Sequence, residues 1–568
     1  TIADRPIPLD EQEDLMTIDT SRSAQGRLLA LPIIGTLSRK MGSPTTTKLR
    51  PTPFSQATMM MVEGKLTEVQ PPFPVTTAPA KLKAGPGGDP MFNAISEFTE
   101  RKSIISGLLK PHHFDGIFTT ALNNFEARPM TLYEVLKGSY QHPHGRSIAR
   151  NKSPGASFTV DTTKNKSYYV LFSEAELTKK NPEDYYRIKG PEICYLHRKV
   201  YTIVVQYLRM LADGIVPYNM VQGALKDEPR SLARVDAFET RLFYVGEFAV
   251  YIISQLLWGH FFIELETHWP ETDITIGCDP YSADWRIIHD KLVARSTTVI
   301  DDDCRKWDVN YITKEFCPAF LKRFVSHTGL TKDTEWEIDF CTDIQKPMKF
   351  KAIPMLAADL EMTFNNALII GDKVVETDCM SSGNHKTSIF NSICNSAQTR
   401  CEAELVTGRP DFDNYATGQF NGDDSALSSE GNIIDRQKLW EVSKKYFNST
   451  RTMPDKSTVC GESTIDSMFY LQRQFITEQG VTFSRLNIKS INQMLQWIEE
   501  PKDKTFAAQF AINCKTALME LGRHPKEVFN NYMYHINRYL RHYGTSYVIH
   551  TTWEQERAKA IRASTQPH

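Results

Sequence analysis

The chain has 568 residues, of which 41% are hydrophobic and 24% charged, with a formal net charge of −2. That length exceeds one ordinary hydrophobic core and implies several subdomains, and the composition is that of a globular protein rather than a low-complexity chain. The near-neutral total excludes a general basic excess, so a polyanionic partner would have to meet basic groups segregated onto one surface.

Residues 1–44 are polar and punctuated and read as an extension. Thr1-Ile2-Ala3-Asp4-Arg5-Pro6 lacks the apolar core of a signal peptide, and Gln25-Gly26 has the look of a processing dipeptide. Residues 45–90 are rich in proline, threonine and lysine, with Pro71-Pro72 and Gly85-Pro86-Gly87-Gly88, which predicts extended chain packed on a neighbour. The longest apolar stretch, Leu242 to Ile263, is interrupted by Glu247, Gln255 and His260. It predicts a buried or amphipathic helix rather than a membrane span.

Thr297-Thr298-Val299-Ile300 is a β-branched run that predicts a strand, with Asp301-Asp302-Asp303 at its carboxyl end. Three consecutive aspartates suit an exposed acidic loop as well. Ser382 reads as a helix N-cap, and Ile389, Ile393 and Ala397 carry the helical spacing to about Leu405. Gly383, Thr387 and Asn391, each four apart, share a small polar face that suits a sugar or base; an ordinary amphipathic helix shows the same pattern. Gly422-Asp423-Asp424, between short apolar stretches, predicts a strand-turn-strand whose tip can offer carboxylates to a hard divalent cation, though solvated turn chemistry uses the same residues. Two acidic groups facing each other would supply what two-metal phosphoryl transfer requires.

Further on, Ile488, Ile491, Leu495 and Ile498 mark one amphipathic helix, and Phe506, Phe510, Cys514, Ala517 and Leu521 mark another. From Leu521 to His568 seven Lys/Arg face three Asp/Glu among five tyrosines, a face for a duplex backbone or for solvent. The ten cysteines form no Cys-x-x-Cys pair and read as reduced thiols.

Asp303 with Asp308, then Ser382-Gly383 with Thr387 and Asn391, then Gly422-Asp423-Asp424 resemble motifs A, B and C of the viral RNA-dependent RNA polymerases. They stand in the usual order, and the likeness is to the picorna-like positive-strand group of picornavirus, iflavirus and dicistrovirus type. Lys226-Asp227-Glu228-Pro229-Arg230 with Arg234 and Arg241 resembles motif F, Met453-Pro454-Asp455-Lys456-Ser457 the end of motif D, Tyr470-Leu471-Gln472-Arg473 motif E, and Ser153-Pro154-Gly155 motif G. Three positions depart: Asn421 stands for a tyrosine before motif C, Glu239 for a lysine in motif F, and Gln472 for a lysine in motif E. The gap from Asp303 to Ser382 is long for the group and implies an insertion around Thr328–Ile353.

The resemblance implies an α+β right-hand polymerase with an antiparallel-sheet palm, fingers closed by fingertips, and a helical thumb. The expected division is an extension at 1–44, fingers at 45–258, palm at 259–364, a fingers return at 365–379, palm again at 380–480, and thumb at 481–568. It implies Asp303 and Asp423, assisted by Asp424, as ligands of Mg²⁺ or Mn²⁺, and Lys456 as proton donor to pyrophosphate. Lys226, Arg230, Arg234 and Arg241 are expected at the triphosphate, although Asp227, Glu228, Asp236 and Glu239 also allow a neutral surface network. Asp308, Ser382, Gly383, Thr387 and Asn391 are expected at the nucleotide, with Asp308, Ser382 and Asn391 at the ribose 2′-hydroxyl. Ser153, Pro154, Gly155 and Arg473 are expected at RNA. The implied partners are an RNA template and primer, NTPs, a small viral protein primer and other viral replication proteins. No direct membrane anchor is expected, and the implied location is a membrane-associated replication complex in the host cytoplasm. The competing readings are a double-stranded-RNA virus transcriptase or reverse transcriptase, and a non-catalytic viral RNA-binding protein.

Overall fold

Two sheets of different construction set the frame of the computed structural model, which describes residues 33–36, 42–96, 107–138, 145–158, 165–310 and 314–568. The first sheet is antiparallel, with Ala416–Asn421, Asp424–Ser429, Thr298–Cys304 and Arg451–Thr452 as successive neighbours. Its strand Thr298–Cys304 starts in the predicted β-branched run and continues through all three aspartates. The acidic-loop reading is thereby corrected: Asp301, Asp302 and Asp303 are buried in a sheet. The second sheet is mixed, because Asn366–Ile370 runs parallel to Asn219–Leu225 while its other pairings are antiparallel.

The long apolar stretch divides in two. Leu242–Val245 is a strand of the mixed sheet, and a helix follows over Phe248–Thr267. That helix is apolar around its circumference, as a core helix is. Trp258 and Phe261 pack on Phe320 and Phe324 at its centre, within the largest hydrophobic cluster. Among the described residues it is the one helix long and apolar enough to cross a membrane, and most of it is buried within the protein.

Residues 45–90 are extended, as their composition predicts, and they tie distant parts together. Leu49–Pro51 pairs with Trp497–Glu499, and Thr77–Pro79 pairs with Pro229–Ser231. Between them Thr58–Val62 and Lys65–Val69 form a hairpin. Phe54 drops from this segment into a second core against Phe73, Phe510 and Tyr539. Helices Ile488–Gln496, Phe506–Leu521 and Lys526–Tyr543 supply the rest of that core. The first predicted helix is therefore shorter than its apolar spacing suggests: Ile498 belongs to the edge strand that pairs with Leu49–Pro51. In the stretch expected to hold an insertion, Glu335–Ile338 and Met348–Lys351 form a separate hairpin. Gln25-Gly26 lies outside the described residues.

The basic C-terminal part uses much of its charge internally. Arg523 and Arg557 are buried, Lys526 pairs with Glu554 and Lys559 with Glu556, and Tyr532 and Tyr539 are core residues. The tie between the extended segment and the helices rests on an aromatic anchor, which gives a stability prediction. Phe54→Ala removes a fully buried ring and should cost about 3–5 kcal/mol, read as an earlier unfolding midpoint in urea.

Candidate active site

Three consecutive aspartates leave one strand with different fates. Asp302 Oδ1 accepts hydrogen bonds from Arg436 Nε at 3.0 Å and Nη2 at 2.8 Å, and its Oδ2 accepts from Trp440 Nε1 at 3.0 Å. Asp301 accepts from Arg436 Nη2 at 3.0 Å and from the Phe469 amide at 3.0 Å. Asp303 differs: one oxygen forms a close ion pair with Lys456, and Oδ1 is buried with no hydrogen-bond partner.

The hairpin opposite aims its carboxylates at the same point. Strand pairing runs from Ile300↔Leu427 to Asp302↔Ser425 and stops one residue short of Asp303 and Asp424. The two-residue tip is Gly422-Asp423, and Gly422 takes a φ of +62°, which glycine adopts without a Cβ penalty. Oxygens of Asp303, Asp423 and Asp424 all lie within 4.8 Å of one another. Burial, then the neighbouring Asp423, pushes the Asp424 carboxyl up to about 7, against a hydrogen bond from the Leu471 amide; burial likewise raises Asp423. A hard divalent cation among these oxygens would remove that cost. An orphaned buried acceptor beside two further carboxylates is a donor set that fits Mg²⁺ or Mn²⁺.

A second cluster of potential ligands, His112, His113 and Glu404, has different chemistry. His113 Nδ1 accepts the Lys110 amide at 2.9 Å, so its proton sits on Nε2, which reaches Glu404 at 2.5 Å. Nε2 is then a donor and not a metal ligand.

A cleft of about 530 Å³ opens over the acids. Asp303, Asp423, Asp308, Ser382, Lys226, Arg230, Arg234, Arg241 and Lys456 all line it, as does Glu239. Glu228 accepts both Arg241 Nε (2.5 Å) and Nη2 (2.6 Å), and it pairs with Lys226 at 3.1 Å. The local neutral network is thus present, yet the cationic groups still border the cleft. Burial and the nearby Arg234 and Arg241 pull the Lys456 ammonium below its usual range, while its contact with Asp303 acts in the opposite sense.

The polar-faced helix runs over Thr387–Thr407, and its N-cap is Lys386 rather than Ser382. Ser382 lies instead in a tight turn before it, because Asn384 Oδ1 and the Ser381 and Asn384 carbonyls take up the Lys386 amide and the Thr387 hydroxyl. Thr387 is therefore spent on the turn, and Gly383 does not share a helix face with it. Gly383 is required by a close approach: a Cβ there would lie 2.2 Å from the Tyr244 carbonyl oxygen. Asn391 is only 7% exposed and its Oδ1 has no partner, so the expected exposed polar face is buried. The next residue, Ser392, accepts the Gly422 amide on its Oγ at 2.8 Å, and one turn beyond Asn391 the Asn395 Nδ2 donates to the Gly422 carbonyl at 3.1 Å. The helix thus grips the acidic hairpin by its tip.

Other expected residues lie elsewhere. Arg473, expected at RNA, is buried in a bidentate pair with Glu520 (3.0 Å to each oxygen) and also donates to Tyr281 at 2.7 Å. Its charge is satisfied inside the protein, which corrects that expectation. Gln472 Oε1 accepts Asn487 Nδ2 at 2.6 Å, and the residue borders a small cavity with Asp303, Asp424 and Lys456; Asn421 Nδ2 donates to Thr275 Oγ1 at 3.3 Å. Ser153 lines a neighbouring cavity of about 440 Å³ with Lys152, Lys166 and Gly383. Pro154 accepts the Phe248 amide, and Gly155 takes a φ of +99°. Sequence reasoning missed Arg436, Trp440, Ser392 and Asn395; only Ser392 and Asn395 carried a signal, their place one residue and one turn beyond Asn391.

The family model for viral RNA-dependent RNA polymerase matches residues 142–541. The chain is similar to a replicase polyprotein of Acute bee paralysis virus (strain Rothamsted), 21% identical over 526 residues that cover 88% of this chain and 25% of that protein. It is also similar to a genome polyprotein of Rice tungro spherical virus (strain A), 23% identical over 87% of this chain and 14% of that protein. The chain thus spans a quarter or less of these curated relatives. A solved structure, the Sicinivirus 3Dpol RNA dependent RNA polymerase, matches with a TM-score of 0.70 at 17% identity, covering 93% of this chain and 98% of that one. That likeness shows the fold.

The buried acids make one stability prediction. Arg436→Met strands Asp301 and Asp302 without their shared cation and should destabilise the protein by about 3–5 kcal/mol in urea unfolding.

Proposed function

The chain belongs to the viral RNA-dependent RNA polymerase family, and from that premise we propose that it extends an RNA 3′ end on an RNA template by nucleotidyl transfer from NTPs. The observation that carries this reading is the convergence of Asp303, Asp423 and Asp424 under a cleft bordered by Lys226, Arg230, Arg234 and Arg241. Asp303 and Asp423, with Asp424, would hold Mg²⁺, or Mn²⁺ in its place. Bound there, the ions would supply the charge that lowers the pKa of the primer hydroxyl and stabilises the leaving oxygens.

The remaining roles belong to the chain's own groups. Arg230, Arg234, Arg241 and Lys226 orient the triphosphate, since guanidinium forks match phosphate oxygens. Lys456, on the rim of the same cleft and in contact with Asp303, donates a proton to the departing pyrophosphate. Asp308, Ser382 and Asn391 select ribose: a polar site built to bond the 2′-hydroxyl is left unpaired by a deoxy sugar. The buried, unpartnered Asn391 Oδ1 supports that assignment. A reverse transcriptase would need a bulky side chain to exclude the hydroxyl. Ser153, Pro154 and Gly155 are assigned to the RNA path beside the cavity that Ser153 and Lys152 line.

We assign residues 45–258 to the fingers, 259–364 and 380–480 to the palm, 365–379 to the fingers return and 481–568 to the thumb, with 1–44 as an extension. We also propose a setting with other viral replication proteins, a small protein primer and membrane-associated complexes in the host cytoplasm; that the relatives are replicase and genome polyproteins supports the first of these.

Primer extension on an RNA template with Mg²⁺ tests the reading. The wild type should extend and Asp423→Ala should fall to background; extension by both, or by neither, refutes it. Asn391→Ala should keep metal-dependent extension but lose preference for NTP over dNTP by about tenfold or more.

A further inference from the structure

The turn from Ser381 to Lys386 presents Ser382 to the nucleotide cleft and Gly383-Asn384-His385 to the neighbouring cavity. Its last residue turns inward. Lys386 Nζ lies 3.0 Å from Asp359 Oδ2, with side chains 1% and 0% exposed. Asp359 sits on the helix Ala352–Thr363, which packs on Arg198–Ala212 and Cys317–Thr328 inside the main core. The same Asp359 oxygen accepts Trp258 Nε1 at 2.8 Å. A buried charge pair therefore links the turn to the main hydrophobic core.

The pair is not optimised for stability. Asp359 Oδ1 is buried without a hydrogen-bond partner, and the Lys386 ammonium makes no directed hydrogen bond. Ser381 Oγ, Asn384 Nδ2 and Asn391 Oδ1 are buried and unpartnered in the same neighbourhood. Buried polar groups are normally satisfied, and a half-satisfied buried pair is a poor substitute for apolar packing. What such a pair does supply is a fixed position: the lysine stem cannot shorten, and its head cannot leave the one carboxylate available.

We propose that Lys386 and Asp359 are positioning residues for nucleotide selection, their ion pair setting the depth of the turn so that Ser382 meets the ribose while Gly383 stays against Tyr244. This deepens the polymerase reading and rests on it. Neither side chain reaches the cleft, so both act through Ser382.

The decisive variant is the double Lys386→Met/Asp359→Asn, which removes both charges, leaves no orphan ion and keeps an acceptor for Trp258. It should melt close to the wild type. In single-nucleotide incorporation its KM for NTP should rise about tenfold with kcat changed far less, and its NTP over dNTP preference should fall about tenfold. Amide exchange over residues 382–386, measured on the free protein, should speed up. A folded double variant with wild-type KM, sugar preference and exchange overturns the proposal. Should the double variant not fold, Trp258→Phe keeps both charges but releases Asp359 from its hydrogen bond; the same changes in smaller measure are expected, and none at all overturns the proposal. If the wild type fails to extend RNA, the polymerase reading is what fails, and the exchange measurement still decides whether the pair anchors the turn.

Discussion

The structure depends on how one β-strand keeps three adjacent carboxylates out of water. One arginine reaches two of the three, so the carboxylates are divided among several partners. Arg436 meets Asp301 and Asp302 together, and Arg451 approaches Asp302 at 3.5 Å while pairing with Glu402 at 2.6 Å. These arginines make a strongly acidic strand tolerable inside a sheet, because a buried charge is costly unless paired and hydrogen-bonded. Asp303 is the one left with an open oxygen, and it is the one that meets the hairpin. The division between structural and chemical aspartates is thus a matter of which arginines reach which position.

The second constraint is a chain of backbone grips. Ser392 and Asn395 hold Gly422, the Leu471 amide holds Asp424, and Gly383 is wedged under Tyr244. Leu471 and Gln472 both take positive φ, at 53° and 63°, in the turn closed by Tyr470 and Arg473. Non-glycine residues in that region are strained, and the turn is maintained by its neighbours. Asn487 bonds Gln472 through both its amide and its side chain, and Arg473 reaches across to Glu520. The residue types at 472 and 473 thus join the acidic sheet to the C-terminal helices.

The features legible in the sequence were the local ones. The β-branched entry to Thr298–Cys304, the Gly422 turn and the apolar spacing of Phe506–Leu521 each announce themselves within a few residues. The resemblance to polymerase motifs also implied one site for Asp303, Asp308, Ser382 and Asp423, and all four line one cleft. The failures share a cause. Ser382 has the chemistry of an N-cap, but the helix begins five residues later because a polar turn consumes the intervening donors. Arg436 stands 134 residues from Asp302, and Arg473 stands 47 from Glu520. Partners at such separations leave no periodic trace, so a charged side chain committed to the interior looks the same in sequence as one offered to RNA.

The central claim is that Asp303 and Asp423 together grip the cations of phosphoryl transfer while Asp301 and Asp302 remain occupied by arginine. Anomalous diffraction from crystals soaked with Mn²⁺, in the presence of RNA and a non-hydrolysable NTP, tests it directly. The account predicts two peaks about 3.5–4 Å apart, both within coordination distance of Asp303 or Asp423. Peaks at Asp301 or Asp302, or none at this hairpin, would contradict it.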